Sequence, residues 1–328
     1  MCTAIRLKNA DVYFGRNLDL DKAFGQKVVF VPRDYAFRFR DGTSSQRHPV
    51  IMGMATVVDG YPLFADAMNE NGLAIAGLNF PGNAHYFQRQ DGKKNVSPFE
   101  LIPYVLSAFS SVDDFLDKAG TLSLWDQPFS DHLPLAPLHW IVADRKKAIV
   151  LESMADGLHV YENPFDVLTN NPPFPFHRDN LTRYRNLSSR QGENGFASDL
   201  SLEPFAAGFG TSFLPGGLDS VSRFVRACYA VKNVAFKEKE EKTTVMTFFR
   251  VLSSVSFLPG LVINSDGSLE KTLYSSCMNL DKGIYYYRTE DFDTIQSVKM
   301  DNFKKDGNEI SAMPLDGEEI IVDKSCVA

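Results

Sequence analysis

Apolar and polar residues exchange over short stretches through the first 80 positions, and this two-residue rhythm reads as strands. The pattern predicts strands over 3–7 and 12–19, joined by a hairpin turn at Lys8-Asn9-Ala10-Asp11. Further strands are expected over 27–31 and 51–58. Two more, over 64–67 and 73–78, flank a turn in which Asn71-Gly72 is a strong reversal signal, because glycine adopts the left-handed backbone at no steric cost.

The period then lengthens. Ser97-Pro98-Phe99-Glu100 combines a capping box with proline at the first helical position, so a helix should run to about Phe109. Ser111 opens a second helix that should end near Gly120. Strands return over 138–143 and 148–152, around the turn Asp144-Arg145-Lys146-Lys147. Helical spacing covers 180–186, 218–234 and 248–255, and strands follow over 272–279 and 284–288. The charged run 237–242 reads as a solvated helix end or loop. The most apolar stretch, 251–264, is broken by serines, a proline and a glycine and suits a buried core element. No internal repeat is found. Blocks of strands alternate with blocks of helices, without strict βαβ units, which points to antiparallel sheets layered with helices.

Composition narrows the class. The 328 residues are 44% hydrophobic, with 34 basic and 41 acidic side chains and a net charge of −7. Such a chain is not intrinsically disordered. At this length roughly three quarters of the unfolded surface can be buried, so no disulfide or metal is needed for folding. Length alone allows one large domain or two. The mild acidity argues against nucleic acid as a partner. No stretch approaches the roughly 18 apolar residues of a membrane span. Arg6 and Lys8 stand where a secretory signal would carry its apolar run. Cys2, Cys228, Cys277 and Cys326 form no metal-binding spacing and read as reduced thiols of a cytoplasmic protein.

Cys2 is the residue with chemical potential. Methionine before a small residue is normally removed after synthesis, which would leave Cys2 with a thiol and a free α-amine on one residue. An α-amine has an ordinary pKa of about 7.7–8.0, so it can serve as a base near neutral pH. A hairpin would return Arg16 beside the thiol, favouring the thiolate, and Asp19 beside the amine. On spacing alone, Arg16 and Asp19 fit an ordinary surface ion pair equally well. His139, next to Trp140 at a strand start, reads as a packed core residue, and so does Cys277.

Met1-Cys2-Thr3-Ala4, Phe14-Gly15-Arg16-Asn17-Leu18-Asp19 and the segment 64–73 resemble the choloylglycine hydrolase family. The resemblance continues through Gly77-Leu78-Asn79-Phe80-Pro81, Leu168-Thr169-Asn170-Asn171-Pro172, Ser222-Arg223-Phe224, Tyr274-Ser275-Ser276-Cys277-Met278 and the segment 282–287. These blocks are collinear over nearly the whole chain, which favours a single domain over 1–328. Within the family the chain is more similar to the bile salt hydrolases than to the penicillin V acylases.

The resemblance implies an α+β fold, the four-layer αββα sandwich of N-terminal-nucleophile hydrolases, activated by loss of Met1. It implies Cys2 as nucleophile with its own amine as base, Arg16 near the thiol, Asp19 holding the amine, and Arg223 closing the polar network. Asn79 and Asn170 match the two oxyanion-binding positions, and asparagine at the first is the bile salt hydrolase choice where penicillin V acylases commonly carry tyrosine. By local pattern alone, Asn170-Asn171-Pro172 is a turn and Arg223 a structural pair at a helix start. Leu18, Phe24, Val58, Phe129, Leu133 and Leu138 match an apolar substrate pocket, although Phe129 and Leu133 suit loop anchors as well. The implied substrate is a glycine- or taurine-conjugated bile salt, with no cofactor. Penicillin V or an N-acyl homoserine lactone is the alternative substrate, and a non-catalytic sterol carrier the alternative class. The segment 187–217 matches a loop of subunit assembly, which implies a homotetramer.

Overall fold

The computed structural model describes residues 1–325, so Cys326 lies outside the described residues. Two antiparallel sheets lie face to face, and helices cover both outer faces, giving an αββα sandwich. The first sheet has seven strands, ordered Val167–Leu168, Cys2–Lys8, Val12–Leu20, Leu269–Asn279, Ile284–Thr289 and Gln296–Lys299, with Val262–Ile263 paired onto Leu269–Asn279. The second has eight, ordered Gly157–Glu162, Ala148–Met154, Leu138–Ala143, Ala74–Asn79, Tyr61–Asn69, Ile51–Val58, Lys27–Val31 and Ser311–Met313. Helices Ser220–Asn233 and Glu241–Ser253 pack on the first sheet, and Leu101–Ala108 on the second.

Burial explains why the central strands look apolar throughout. A sheet covered on both faces must present apolar side chains to both, so the alternation separates two cores rather than core from solvent. Ala74 and Ala76 point into the core between the sheets, whereas Leu73 and Ile75 point into the core under Leu101, Val105 and Phe115.

The expected elements are found, with shifted ends. The first pair extends to Cys2–Lys8 and Val12–Leu20, and the hairpin at Asn71-Gly72 is present with Gly72 at φ 84°. The helix expected from Pro98 starts as a 3-10 turn, Pro98–Glu100, and continues as Leu101–Ala108; the Glu100 carboxylate accepts from Ser97 N at 3.2 Å. Two expectations fail. The helix placed over 180–186 lies earlier, at Phe174–Asn180, because prolines without an N–H are best tolerated in a first turn, and a 3-10 turn, Leu181–Tyr184, follows. The charged run 237–242, by contrast, is the loop and solvated helix start it was expected to be, leading into Glu241–Ser253. The stretch 251–264 is not a core element as a whole: Val251, Leu252, Val255 and Phe257 are buried, but Leu258 and Leu261 are exposed in a loop.

Candidate active site

The pairing of the first two strands sets Cys2 opposite Leu18 and Ala4 opposite Arg16. Directly opposed residues share a face, and faces alternate along a strand. Cys2, Leu18 and Arg16 therefore look into the gap between the sheets, while Thr3 and Asn17 look toward the helices. The contacts agree: Thr3 Oγ1 accepts from Arg223 on helix Ser220–Asn233 at 2.6 Å, and Asn17 Nδ2 donates to Leu252 O at 2.9 Å. Gly15 permits this closeness, since a Cβ there would stand 2.0 Å from Ser276 O.

Met1 is present, so the free amine sits one residue before Cys2. It donates to Asp19 O at 2.5 Å and pairs with the Glu270 carboxylate, and Asp19 N returns a bond to Met1 O at 2.9 Å. Burial lowers the pKa of this amine. Asp19 is fully buried and accepts from Thr272 Oγ1 at 2.5 Å, where the strand Leu269–Asn279 bulges between Thr272 and Tyr274. Its second carboxylate oxygen has no partner. Burial pushes the Asp19 pKa up against the pull of Arg223, Thr272 and the terminal amine.

Asn170 joins both sheets to the N-terminus. Its Oδ1 accepts from Cys2 N at 2.9 Å and from Arg223 Nη2 at 2.8 Å, and its Nδ2 donates to Asn79 O at 2.7 Å. One hydrogen of that amide stays unassigned among the described residues. Arg223 also donates to Cys2 O at 2.6 Å and to Leu218 O at 2.8 Å. The Asn79 side chain makes no hydrogen bond to the described protein, so its amide is free to meet a ligand.

Arg16 is wholly buried. Its Nη1 donates to Ala65 O at 3.2 Å and to Gly77 O, and its Nη2 has no partner. Burial works against its charge, but Cys2, Tyr274, Asp66 and Asp19 raise its pKa overall. Asp66, also fully buried, accepts from Tyr274 at 2.6 Å and Tyr285 at 2.7 Å. No local pattern in the sequence marks Asp66 and these tyrosines as a polar cluster.

Cys2, Arg16 and Asn79 open onto a pocket of about 350 Å³ whose other walls are apolar. Of the six positions expected there, Leu18, Phe24, Phe129, Leu133 and Leu138 line it. Val58 does not; it pairs with Tyr61 at the turn that ends its strand. Phe129 is both wall and anchor, because it packs on Tyr61 and Phe99 while its carbonyl accepts from Arg40 at 2.5 Å. Leu20, Phe64, Phe99, Ile102, Leu135 and Trp140 are among the further lining residues, unannounced by any local pattern. Only the packing of helix Leu101–Ala108 and the loop before Leu138 on one sheet end brings them together.

His139 is fully buried, as expected. Its Nδ1 meets Glu152 Oε1 and its Nε2 meets Thr169 O, both at 3.0 Å. A thiol, a buried guanidinium and free amide donors beside an apolar pocket are the parts needed to attack the carbonyl of a lipophilic acyl compound.

Comparisons with known proteins bear on these parts. The family described as linear amide C–N hydrolases, choloylglycine hydrolase family, matches residues 2–313. A bile salt hydrolase/transferase of Lactiplantibacillus plantarum is 44% identical over 318 residues, 97% of this chain and 98% of that protein. One of Clostridium perfringens is 35% identical over 315 residues, 94% of this chain and 95% of that protein. A solved conjugated bile acid hydrolase from Clostridium perfringens, 32% identical, superposes with a TM-score of 0.90 over 99% of this chain and 100% of its own. A penicillin V acylase from Agrobacterium tumefaciens shares the fold at 17% identity, with a TM-score of 0.75 over 98% of this chain and 94% of its own.

Proposed function

The chain belongs to the choloylglycine hydrolase family, and from that premise we propose that it hydrolyses the amide bond of glycine- or taurine-conjugated bile salts through Cys2, once Met1 is removed. One observation carries the reading: the Cys2 thiol, Arg16 and the free Asn79 amide share a pocket with otherwise apolar walls. The relatives named for bile salts, at 35–44% identity over almost the whole chain, support the choice of acyl group.

The reaction proceeds in two halves. Sγ of Cys2 bonds to the amide carbonyl carbon, and its proton passes to the Cys2 amine. Charge developing on the carbonyl oxygen meets Asn79 Nδ2 and the unassigned hydrogen of Asn170 Nδ2. The C–N bond then breaks as the ammonium protonates the departing nitrogen, releasing glycine or taurine. Water adds to the thioester with the amine as base, the C–S bond breaks, and the free bile acid leaves. Arg16 favours the thiolate, Arg223 orients Asn170, and Asp19 holds the amine. The steroid body lies against Leu18, Phe24, Phe129, Leu133 and Leu138; Phe24 and Leu133, each 39% exposed, form the mouth.

The whole chain acts as one catalytic domain, and it assembles with further copies of itself. Phe196, Phe205 and Phe213 are 81–92% exposed on the segment 187–217, a larger apolar display than a monomer usually leaves to water. Light scattering on the purified protein should return about four chains per particle.

The deciding experiment measures glycine and taurine release from conjugated bile salts beside hydrolysis of penicillin V and an N-acyl homoserine lactone. Strong preference for either alternative overturns the substrate assignment. An isolated protein that keeps Met1 and turns over none of them returns the chain to the class of ligand carriers.

A further inference from the structure

We propose that His139, held by Glu152, is a positioning residue that sets the two amide donors of the oxyanion site at their working separation. The inference rests on the reading of Asn79 and Asn170 just given, and adds a residue that touches neither the nucleophile nor the pocket.

The strand register that puts Trp140 opposite Leu151 brings His139 opposite Glu152. Both are wholly buried on the face that looks across the sandwich. The imidazole stacks on Phe80, with ring centroids 4.3 Å apart and planes 5° from parallel. Phe80 directly follows Asn79. The far ring nitrogen reaches Thr169 O at 3.0 Å, and Thr169 directly precedes Asn170. One ring therefore bridges the two segments that carry the amides, one at an end of the second sheet and the other at the edge of the first.

Both neighbours of the ring nitrogens are acceptors, a carboxylate and a backbone carbonyl. Thr169 O can only accept, so Nε2 is the donor of that contact. The same carboxylate accepts from Phe174 N at 3.0 and 3.1 Å, fixing the first turn of helix Phe174–Asn180. From that helix His177 meets Asn170 O at 2.9 Å, while Ser220 Oγ accepts from Asn170 N at 2.9 Å. Both backbone polar atoms of Asn170 are thus held, and Glu152 supports the His177 arm as well as the His139 contact to Thr169 O. An apolar pair at positions 139 and 152 would fill this core at lower desolvation cost, so the buried polar pair points to a demand for placement. A displacement of about 1 Å in a catalytic group can cost about a hundredfold in rate.

The test is a double-mutant cycle on the full enzyme with a conjugated bile salt as substrate. His139→Leu should lower kcat at least about tenfold and leave KM within about twofold, because the pocket walls are untouched. In an Asn170→Ala background the same change should cost clearly less, since one of the two donors it positions is gone. Glu152→Gln, which keeps shape and one acceptor, should show a smaller loss with the same non-additivity, and stands in if His139→Leu does not fold. Lowered thermal stability with unchanged kcat, or an equal loss in the Asn170→Ala background, overturns the inference. Full activity in Asn170→Ala alone would instead strike the proposed oxyanion site.

Discussion

Arg6 and Arg16 lie on neighbouring strands, point to the same side of the first sheet, and are both buried, yet they live differently. Arg6 uses all three nitrogens: Nε to Asp144 O at 2.9 Å, Nη1 to Asp166 at 3.0 Å and Nη2 to Arg145 O at 2.8 Å. Arg16 leaves Nη2 unpaired and hydrogen-bonds to no carboxylate. Asp166 and Asp19 repeat the contrast: Asp166 pairs with Arg6 and Lys232, while Asp19 keeps a bare oxygen. A buried polar group without a partner costs about 1–3 kcal/mol, and a scaffold would have no reason to keep one. The end of the sheet with satisfied groups holds the fold; the end with unsatisfied groups is where chemistry is available.

Substitutions can break or sharpen that contrast. The largest effect should come from Cys2→Ala, which removes the nucleophile and only one sulfur's worth of packing. Release of glycine or taurine should fall at least about 10⁴-fold while circular dichroism and the melting temperature stay put. Wild-type rates in this variant would end the case for Cys2. Next is Asn79→Ala, whose lost donor should reduce kcat by about 10²–10³ with no change in stability, because the amide holds nothing else in place.

Arg16→Met and Arg6→Met then test the contrast directly. The first should cut kcat/KM by about a hundredfold or more with a smaller stability loss than Arg6→Met, since Arg16 is the less fully paired of the two buried charges. The second should lower unfolding free energy by about 3–5 kcal/mol, by leaving Asp166 and two carbonyls short of a donor, yet leave kcat of the folded enzyme alone. If denaturant titrations and kinetics gave the reverse assignment, hydrogen-bond satisfaction would not separate scaffold from site here.

The smallest effect is a pH slope. Burial lowers the His177 pKa to about 4, below its usual value near 6.5. Between those values the unfolded chain binds a proton that the folded chain refuses. This contribution to stability is therefore complete above pH 6.5 and lost as pH falls toward 4. Replacing His177 by Asn should flatten thermal stability over that window relative to the wild type; an unchanged slope would mean that His177 titrates normally.

Much of this molecule was readable beforehand. Turn chemistry at Asn71-Gly72, the Ser97 and Ser111 helix starts and the period-two runs placed most elements, because these signals act within a few residues. Cys2 stood out by position, and Arg16, Asp19, Asn79, Asn170 and Arg223 through collinear blocks of resemblance. The helix Phe174–Asn180 was misplaced because apolar spacing extends past it while its prolines mark its true start. Val58 was misassigned to the pocket because a position near a strand end does not reveal which way a turn carries it.

The sequence by itself determined the layered class, since local backbone preference travels with the chain, and its blocks of resemblance pointed to Cys2 and the polar residues around it. Only the tertiary structure decided which of those groups lack partners and which apolar residues form the pocket. It also set His139 between Phe80 and Thr169. Satisfaction of a buried group depends on atoms brought in from far along the chain, as when Thr272 reaches Asp19 and Arg223 reaches Cys2, and no short-range pattern encodes such a meeting.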